Sequence, residues 1–207
     1  MKKVILVDGN NLLFRSYYAT AYQGNFMKNS KGFPTNALYG FVNMINKIIN
    51  DEKPEYMLVA FDKGKTFRHD KYEDYKAGRI EMPNELKQQF PVAKEILTNL
   101  GIKWFEIDNY EADDIVGTLS KMIDDCDDYR GLIVSSDKDL LQLITDKVIM
   151  KMLKPKDYVM MTKETFFDVY GLTPEKMIDI KALQGDSSDN IPGVKGVGEK
   201  TALKLLQ

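Results

Sequence analysis

Three carboxylates crowd four positions in Tyr110-Glu111-Ala112-Asp113-Asp114, at the head of an apolar-periodic run. In the first turn of a helix, Glu111 and Asp114 share a face at i, i+3 spacing with Asp113 beside them, and the positive end of the helix dipole steadies all three. Such a nest suits Mg²⁺ or Mn²⁺, which take hard oxygen ligands. Ordinary helix capping uses the same residue types, so this stretch alone leaves both readings open. The wider pattern bears on the choice. Asp8, Asp62 and Asp137 each follow a short apolar run, Asp139 stands two residues further on, and Asp186 and Asp189 follow a later helix.

The elements that must position these acids can be read from periodicity. Residues 4–7 are a continuous apolar run of the kind found in buried parallel strands, and Asp8 at its end would point out of the carboxyl edge of the sheet, where open α/β folds bind ligands. A loop containing Gly24, Asn29, Gly32 and Pro34 leads to a helix over 35–50, with Leu38, Phe41, Val42, Ile45, Ile48 and Ile49 on one side. Residues 57–61 repeat the first strand pattern and end at Asp62. A second amphipathic helix over 85–100 carries a bend at Pro91 and closes on Gly101. Residues 103–107 form a short strand, a helix runs from Glu111, and 132–136 is another buried strand before Asp137. Residues 148–153 and 158–161 pair around a turn at 154–157.

Two stretches suggest contact with nucleic acid. Between 63 and 79, Lys63, Lys65, Arg68, Lys71, Lys76 and Arg79 are interleaved with Phe67, Tyr72 and Tyr75, so cations can meet phosphates while rings stack on bases. Asp70, Glu73 and Asp74 dilute that charge, and a merely solvated face fits this patch as well. Thr173-Pro174 opens a helix through Met177, Ile180 and Leu183. A glycine-punctuated turn over 191–202 follows, whose backbone amides can approach a phosphate while Lys195 and Lys200 add charge. Neither a P-loop nor a strand-led G-x-G-x-x-G occurs, so a nucleotide pocket is not indicated.

Composition bounds the chemistry. The 207 residues suffice for one substantial core with a small appendage, and 43% hydrophobic with 29% charged residues describes an ordinary globular chain. A net charge of −2 confines any nucleic-acid binding to local patches. One cysteine, Cys126, permits no internal disulfide, and with the single His69 it cannot make a Cys/His zinc site. Chemistry here falls to carboxylates and metal. Cys126 reads as an apolar helix-face residue and His69 as structural or touching phosphate. The N-terminus lacks the apolar length of a signal peptide or membrane span, which leads us to expect a cytoplasmic protein.

Taken together, Val7-Asp8-Gly9-Asn10, Phe61-Asp62, Phe67-Arg68-His69, Tyr75-Lys76-Ala77-Gly78-Arg79, Tyr110-Glu111-Ala112-Asp113-Asp114, Ser136-Asp137-Lys138-Asp139 and Gly185-Asp186-Ser187-Ser188-Asp189-Asn190-Ile191-Pro192-Gly193 closely resemble the 5′ nuclease family. That family includes the 5′-3′ exonuclease domain of bacterial DNA polymerase I and free-standing flap endonucleases. The resemblance spans the whole chain. It implies an α/β, PIN-like fold: a mostly parallel central sheet flanked by helices, a nuclease core over 1–172 with a helical arch at about 63–84, and a helix-hairpin-helix region over 173–207.

The implied activity is structure-selective, divalent-metal-dependent hydrolysis of DNA as a 5′-3′ exonuclease and 5′-flap endonuclease, as in Okazaki fragment processing and repair. Asp8, Asp62, Glu111 and Asp113 would hold one Mg²⁺ and Asp137, Asp139, Asp186 and Asp189 a second, with Asp114 near both and Mn²⁺ able to substitute. Crowded carboxylates otherwise raise one another's pKa, and paired metals suit phosphodiester hydrolysis. Lys76, Arg79 and Asp113 take catalytic roles by the resemblance, with Arg68 and Tyr75 also on the DNA. Gly193, Lys195, Gly196, Gly198 and Lys200 would grip duplex phosphates without reading sequence, with K⁺ at the hairpin.

The implied partner is DNA with a 5′ end or flap and adjacent duplex, met by a nucleoid-associated monomer, with no membrane involved and a covalently following polymerase region in some relatives. An RNA-cutting PIN-like nuclease and a non-catalytic DNA-binding module are the rivals. The basic-aromatic stretch and hairpin favour duplex-bearing DNA over the first, and the complete carboxylate set favours catalysis over the second. Family domains continue beyond the hairpin, whereas this chain stops at Gln207 inside its second helix. Ala202, Leu203, Leu205 and Leu206 are therefore expected to form an apolar face lacking its partner.

Overall fold

Residues 1–21 and 27–207 are described by the computed structural model; Gly24 of the expected first loop lies outside them. The strands β1 (Lys2–Asp8), β2 (Tyr56–Ala60), β3 (Lys103–Phe105), β4 (Tyr129–Ser135) and β5 (Val148–Leu153) are all parallel, and β6 (Tyr158–Met161) returns antiparallel, in the spatial order β3-β2-β1-β4-β5-β6. Parallel neighbours need crossover connections, which the intervening helices supply. Val7 lies level with both Val59 and Val134, so Asp8, Asp62 and Asp137 all emerge at one carboxyl edge. The expected mostly parallel, helix-flanked α/β sheet is the observed one.

Side chains alternate across this sheet and divide the core in two. Ile5, Val7, Val59, Leu132 and Val134 face α1 (Gly9–Thr20), α2 (Asn36–Glu52) and α5 (Gln89–Asn99). Leu6, Ala60 and Ile133 face α6 (Ala112–Asp124), α7 (Lys163–Tyr170), α8 (Met177–Gln184) and α9 (Glu199–Leu206). Strands covered on both faces must be apolar at every position, which is why their sequences read as unbroken runs.

Several local readings change. Helix α1 begins at once after β1 where a loop was expected, because the Asp8 carboxylate accepts the Asn11 N–H at 2.9 Å and caps it. Gly9 makes this junction possible, since a Cβ there would lie 2.6 Å from the Phe61 ring. The second helix is split into α4 (Asn84–Lys87) and α5 at Gln88, and α5 runs unbroken through Pro91. Pro91 sits in the first turn of α5, where a missing N–H leaves no helical bond unmade. Helix α7 and a 3₁₀ turn over Lys138–Leu143 were not anticipated. Cys126 lies beyond the end of α6 and not on a helix face; its N–H donates to the Ile123 carbonyl.

The expected helical arch at 63–84 holds little helix: only α3 (Phe67–Lys71) and the start of α4 are helical, with turns between. Left-handed backbone at Lys76 and Gly78 breaks helical continuation there, and the side chains of this stretch bond down onto acids of the sheet edge. Helix α9 corrects a second expectation. Ala202 is fully buried, Leu203 and Leu206 pack against the same core as α8, and the Gln207 amide donates to the Tyr170 carbonyl, so only Leu205 is exposed. Its apolar face has a partner within the described residues. Among those residues no helix is long and apolar enough to cross a membrane.

Candidate active site

A cleft of about 620 Å³ lies over the carboxyl edge of the sheet, and Asp8, Asp62, Glu111, Asp113, Asp114, Asp137, Asp139 and Asp189 line it. Parallel strands deliver the first acids. Asp8 ends β1, nearly buried, its second oxygen accepting from the Ser135 hydroxyl at 3.0 Å. Asp62, just past β2, accepts the Ala112 N–H at 2.7 Å and the Asn10 amide at 3.0 Å. Asp137, past β4, caps the 3₁₀ turn by accepting the Asp139 N–H at 2.9 Å.

Helix α6 delivers the next three. Glu111 is its N-cap, and the Asp114 carboxylate reaches back to accept the Glu111 N–H at 2.9 Å. The capping reading therefore holds for Glu111 and Asp114, and both also line the cleft. Asp113 lies between the two roles: among the described residues no donor reaches its carboxylate, which faces Asp8, Asp137, Asp62 and Glu111. Burial, then repulsion from these neighbours, raises its pKa to about 8. Burial likewise raises Asp8 to about 7 against the opposing Asn11 N–H, with repulsion from Asp62 adding to the rise. Burial raises Asp62 as well.

Cations answer the remaining acids. Arg68 grips Asp114 bidentately at 2.7 and 2.8 Å. Lys76 donates to Glu111 at 2.7 Å, and Arg79 pairs with Asp189. Tyr75, expected as a stacking surface, is instead buried, its hydroxyl 3.0 Å from both Glu111 and Asp189. Burial and the two carboxylates push that phenol's pKa up, so it stays a donor. His69 touches no acid of the cleft; it caps α3 through Thr66 and meets Tyr75 edge-on.

Sequence reasoning passed over Lys181, Asn10, Asn11 and Ser135. Lys181 on α8 lies 2.6 Å from both Asp139 and Asp186. Its signal was present in its place one turn before Gly185-Asp186, but a lysine on an amphipathic helix reads as a solvated residue. Asp186 is outside the cleft lining but adjoins it, bridged to Asp139 by Lys181 and accepting the Asp189 N–H at 3.2 Å. Burial opposes its ionisation, but Lys181 and Ser188 outweigh that and hold its pKa near 2.

The hairpin glycines divide by role. Gly193 packs against Gln184 and Gly185, where a Cβ would lie 2.2 Å from backbone, while Gly196 and Gly198 face open space. Lys195 and Lys200 are exposed beside them.

Among the described residues no three carboxylates are gathered tightly enough to form a coordination sphere unaided. The donors nevertheless fit a hard divalent cation. They are all oxygens, and burial followed by repulsion from neighbouring acids disfavours the charged forms of Asp8 and Asp113, an effect that a cation among them would offset.

Comparison with known proteins agrees. The family model for the 5′-3′ exonuclease N-terminal resolvase-like domain matches residues 3–171, and that for the 5′-3′ exonuclease C-terminal SAM fold matches 172–207. The chain is 49% identical over 209 residues to DNA polymerase I of Bacillus subtilis, matching all of this chain but only 23% of that protein's length. It is 47% identical over 208 residues to a 5′-3′ exonuclease of the same organism, covering 99% of this chain and 70% of the relative. Among solved structures, T5 5′-exonuclease with bound zinc superposes with a TM-score of 0.76 at 27% identity, over 99% of this chain and 74% of that one. A bacteriophage T5 flap endonuclease in complex with DNA and metal ions gives 0.77 at 25% identity, with the same coverage. By the family models that match residues 3–207 and by identity to these relatives, this chain belongs to the 5′-3′ exonuclease family.

Proposed function

We propose that this chain hydrolyses DNA phosphodiesters near a 5′ end, as a structure-selective 5′-3′ exonuclease and 5′-flap endonuclease. The observation that carries the reading is the meeting, in one cleft, of acids from three strand ends and a helix start with Arg68, Lys76 and Arg79 from a separate segment. Acids without cations would repel a phosphate, and cations without acids would bind it without any means of activating water.

Asp8, Asp62, Glu111 and Asp113 would hold one Mg²⁺, and Asp137, Asp139, Asp186 and Asp189 a second, with Mn²⁺ able to replace either. When bound, such ions supply an activated water and charge to stabilise the leaving oxygen. The protein's own residues do the rest. Asn10, Asn11 and Ser135 hold the strand-end carboxylates in place by hydrogen bonds. Lys76 and Arg79, by exchanging a carboxylate for the scissile phosphate, would place positive charge where negative charge develops in the transition state. Gly196, Gly198, Lys195 and Lys200 would hold the adjacent duplex by its phosphates, with K⁺ at the hairpin.

The chain would act as a monomer at the nucleoid, in polymerase-linked relatives as one part of a longer protein. The test is cleavage of a 5′-flap oligonucleotide with Mg²⁺ and with excess EDTA. Loss of cleavage in EDTA is expected, and undiminished cleavage there would reject the reading.

A further inference from the structure

Beside the carboxylate cleft, with Asp114 and Thr118 as a common wall, lies a second cavity of about 370 Å³. Leu58, Phe105, Ile107, Tyr110, Ile115 and Leu119 line it. It opens at the edge of the sheet, where β3 has only β2 for a neighbour, and Phe105, Ile107 and Tyr110 are 50%, 43% and 46% exposed. Three large apolar side chains left half in water around one hollow mark a binding surface, not a core. The volume is near the lower end of the ~300–1,000 Å³ span of small-ligand sites, which suits one or two rings and excludes a folded element.

The neighbouring segment supplies a second, independent observation. Residues 63–71 lie against residues 108–110 beside the cavity, held by the Phe67 N–H on the Asn109 carbonyl at 3.2 Å and by the Lys63–Asp108 ion pair at 3.0 Å. Phe67 meets Tyr110 edge-on, ring centroids 5.8 Å apart, with Arg68 and Lys71 over the Phe67 ring at 4.7 and 5.4 Å. Among the described residues Lys65 and Lys71 have no ion-pair partner. Rings within the cavity and cations on the neighbouring segment suit an aromatic group carried on a phosphate chain, because phosphates meet the ammonium groups while the base stacks. An apolar peptide would fill the hollow but leave the cations without a role.

We propose that this cavity seats an unpaired nucleobase of the same 5′ strand whose phosphodiester enters the carboxylate cleft. The site deepens the nuclease reading and rests on it. Helix α6 serves both hollows, its Asp114 and Thr118 standing between them, so a strand crossing that wall presents phosphate to one side and base to the other. Its function is to favour DNA with single-stranded 5′ nucleotides over DNA that is paired to its end.

Phe105→Ala removes a stacking ring while the Phe105 carbonyl keeps its bond from the Phe61 N–H, and Phe105→Trp restores a ring. Affinity is read by fluorescence anisotropy in Ca²⁺, for a duplex with several unpaired 5′ nucleotides and for the same duplex made blunt. The expected result is about a tenfold loss for the overhang DNA with Phe105→Ala, little change for the blunt DNA, and retention of affinity with Phe105→Trp. Equal losses on both DNAs, no loss on the overhang DNA, or an equal loss with Phe105→Trp each overturn the proposal. Unchanged overhang binding is also the outcome for a cavity that takes an apolar peptide. Mg²⁺-dependent cleavage of the 5′-flap oligonucleotide is read in parallel on the unaltered protein. Its absence would count against the nuclease reading, whereas its presence with unchanged overhang binding would remove only the base site.

Discussion

The Lys181 ammonium lies 2.6 Å from a carboxylate oxygen of Asp186 and equally close to one of Asp139, joining α8 to the far side of the cleft. Burial alone would disfavour this ammonium, but the two acids outweigh it and raise its pKa. Lys181→Met leaves both acids without their cation. Breaking a buried pair costs about 3–5 kcal/mol, and the partial exposure here reduces the expected loss to roughly 1–3 kcal/mol. Thermal melting in EDTA should show that loss, and Mn²⁺ should recover more stability in the variant than in the unaltered protein. Equal Mn²⁺ effects on the two would separate Lys181 from the cation site.

Stability should depend on pH and metal together. Asp8 and Asp113 have folded pKa values of about 7 and about 8, above the ordinary carboxylate value of 3.8. The unfolded chain therefore loses its protons first as pH rises. Each raised group costs the fold nothing below about pH 4, costs progressively more up to its folded pKa, and carries a constant penalty above it. A bound divalent cation removes that penalty. The shift in melting temperature produced by Mg²⁺ should accordingly be larger at about pH 8.5 than at about pH 5. A shift that is the same at both would contradict the crowding of these two acids.

Asp113 and Lys76 should separate chemistry from binding. Asp113→Asn removes a charge that no neighbouring donor offsets, so cleavage should vanish while DNA affinity holds or rises. Lys76→Ala should slow single-turnover cleavage by about 10²–10³, the range for a lost charge or donor at a transition state. If Lys76→Ala alters only affinity, the exchange of Glu111 for phosphate does not occur.

Binding at the hairpin should be blind to sequence. Gly196 and Gly198 face open space beside exposed Lys195 and Lys200, an arrangement that offers amides and charge but no group shaped to a base edge. Replacing both lysines by alanine should weaken duplex binding uniformly across scrambled sequences and lower the salt-dependence slope by about 2. A marked preference among sequences would refute this.

The order of strands and helices, and the acids that end them, were legible because parallel strands buried on both faces must be apolar throughout and must stop at polar residues. Glu111 to Asp114 could be assigned to a helix start for a similar local reason, the attraction between carboxylates and unpaired amides. What the sequence could not reveal is which acids would find cations. Lys181 comes within 2.6 Å of Asp139 only because α8 packs across the 3₁₀ turn, a meeting of residues far apart in the chain. Tyr75, read as a ring for stacking, became a buried donor because the stretch after α3 bonds onto Glu111 and Asp189 and does not continue as helix. The apolar face of α9 was visible as a pattern of leucines, yet its partner was not, since the core it joins is assembled from α6, α7, α8 and the sheet. Local periodicity is written in the order of residues. The pairing of charges and the burial of faces depend on which distant surfaces the sheet's strand order brings together.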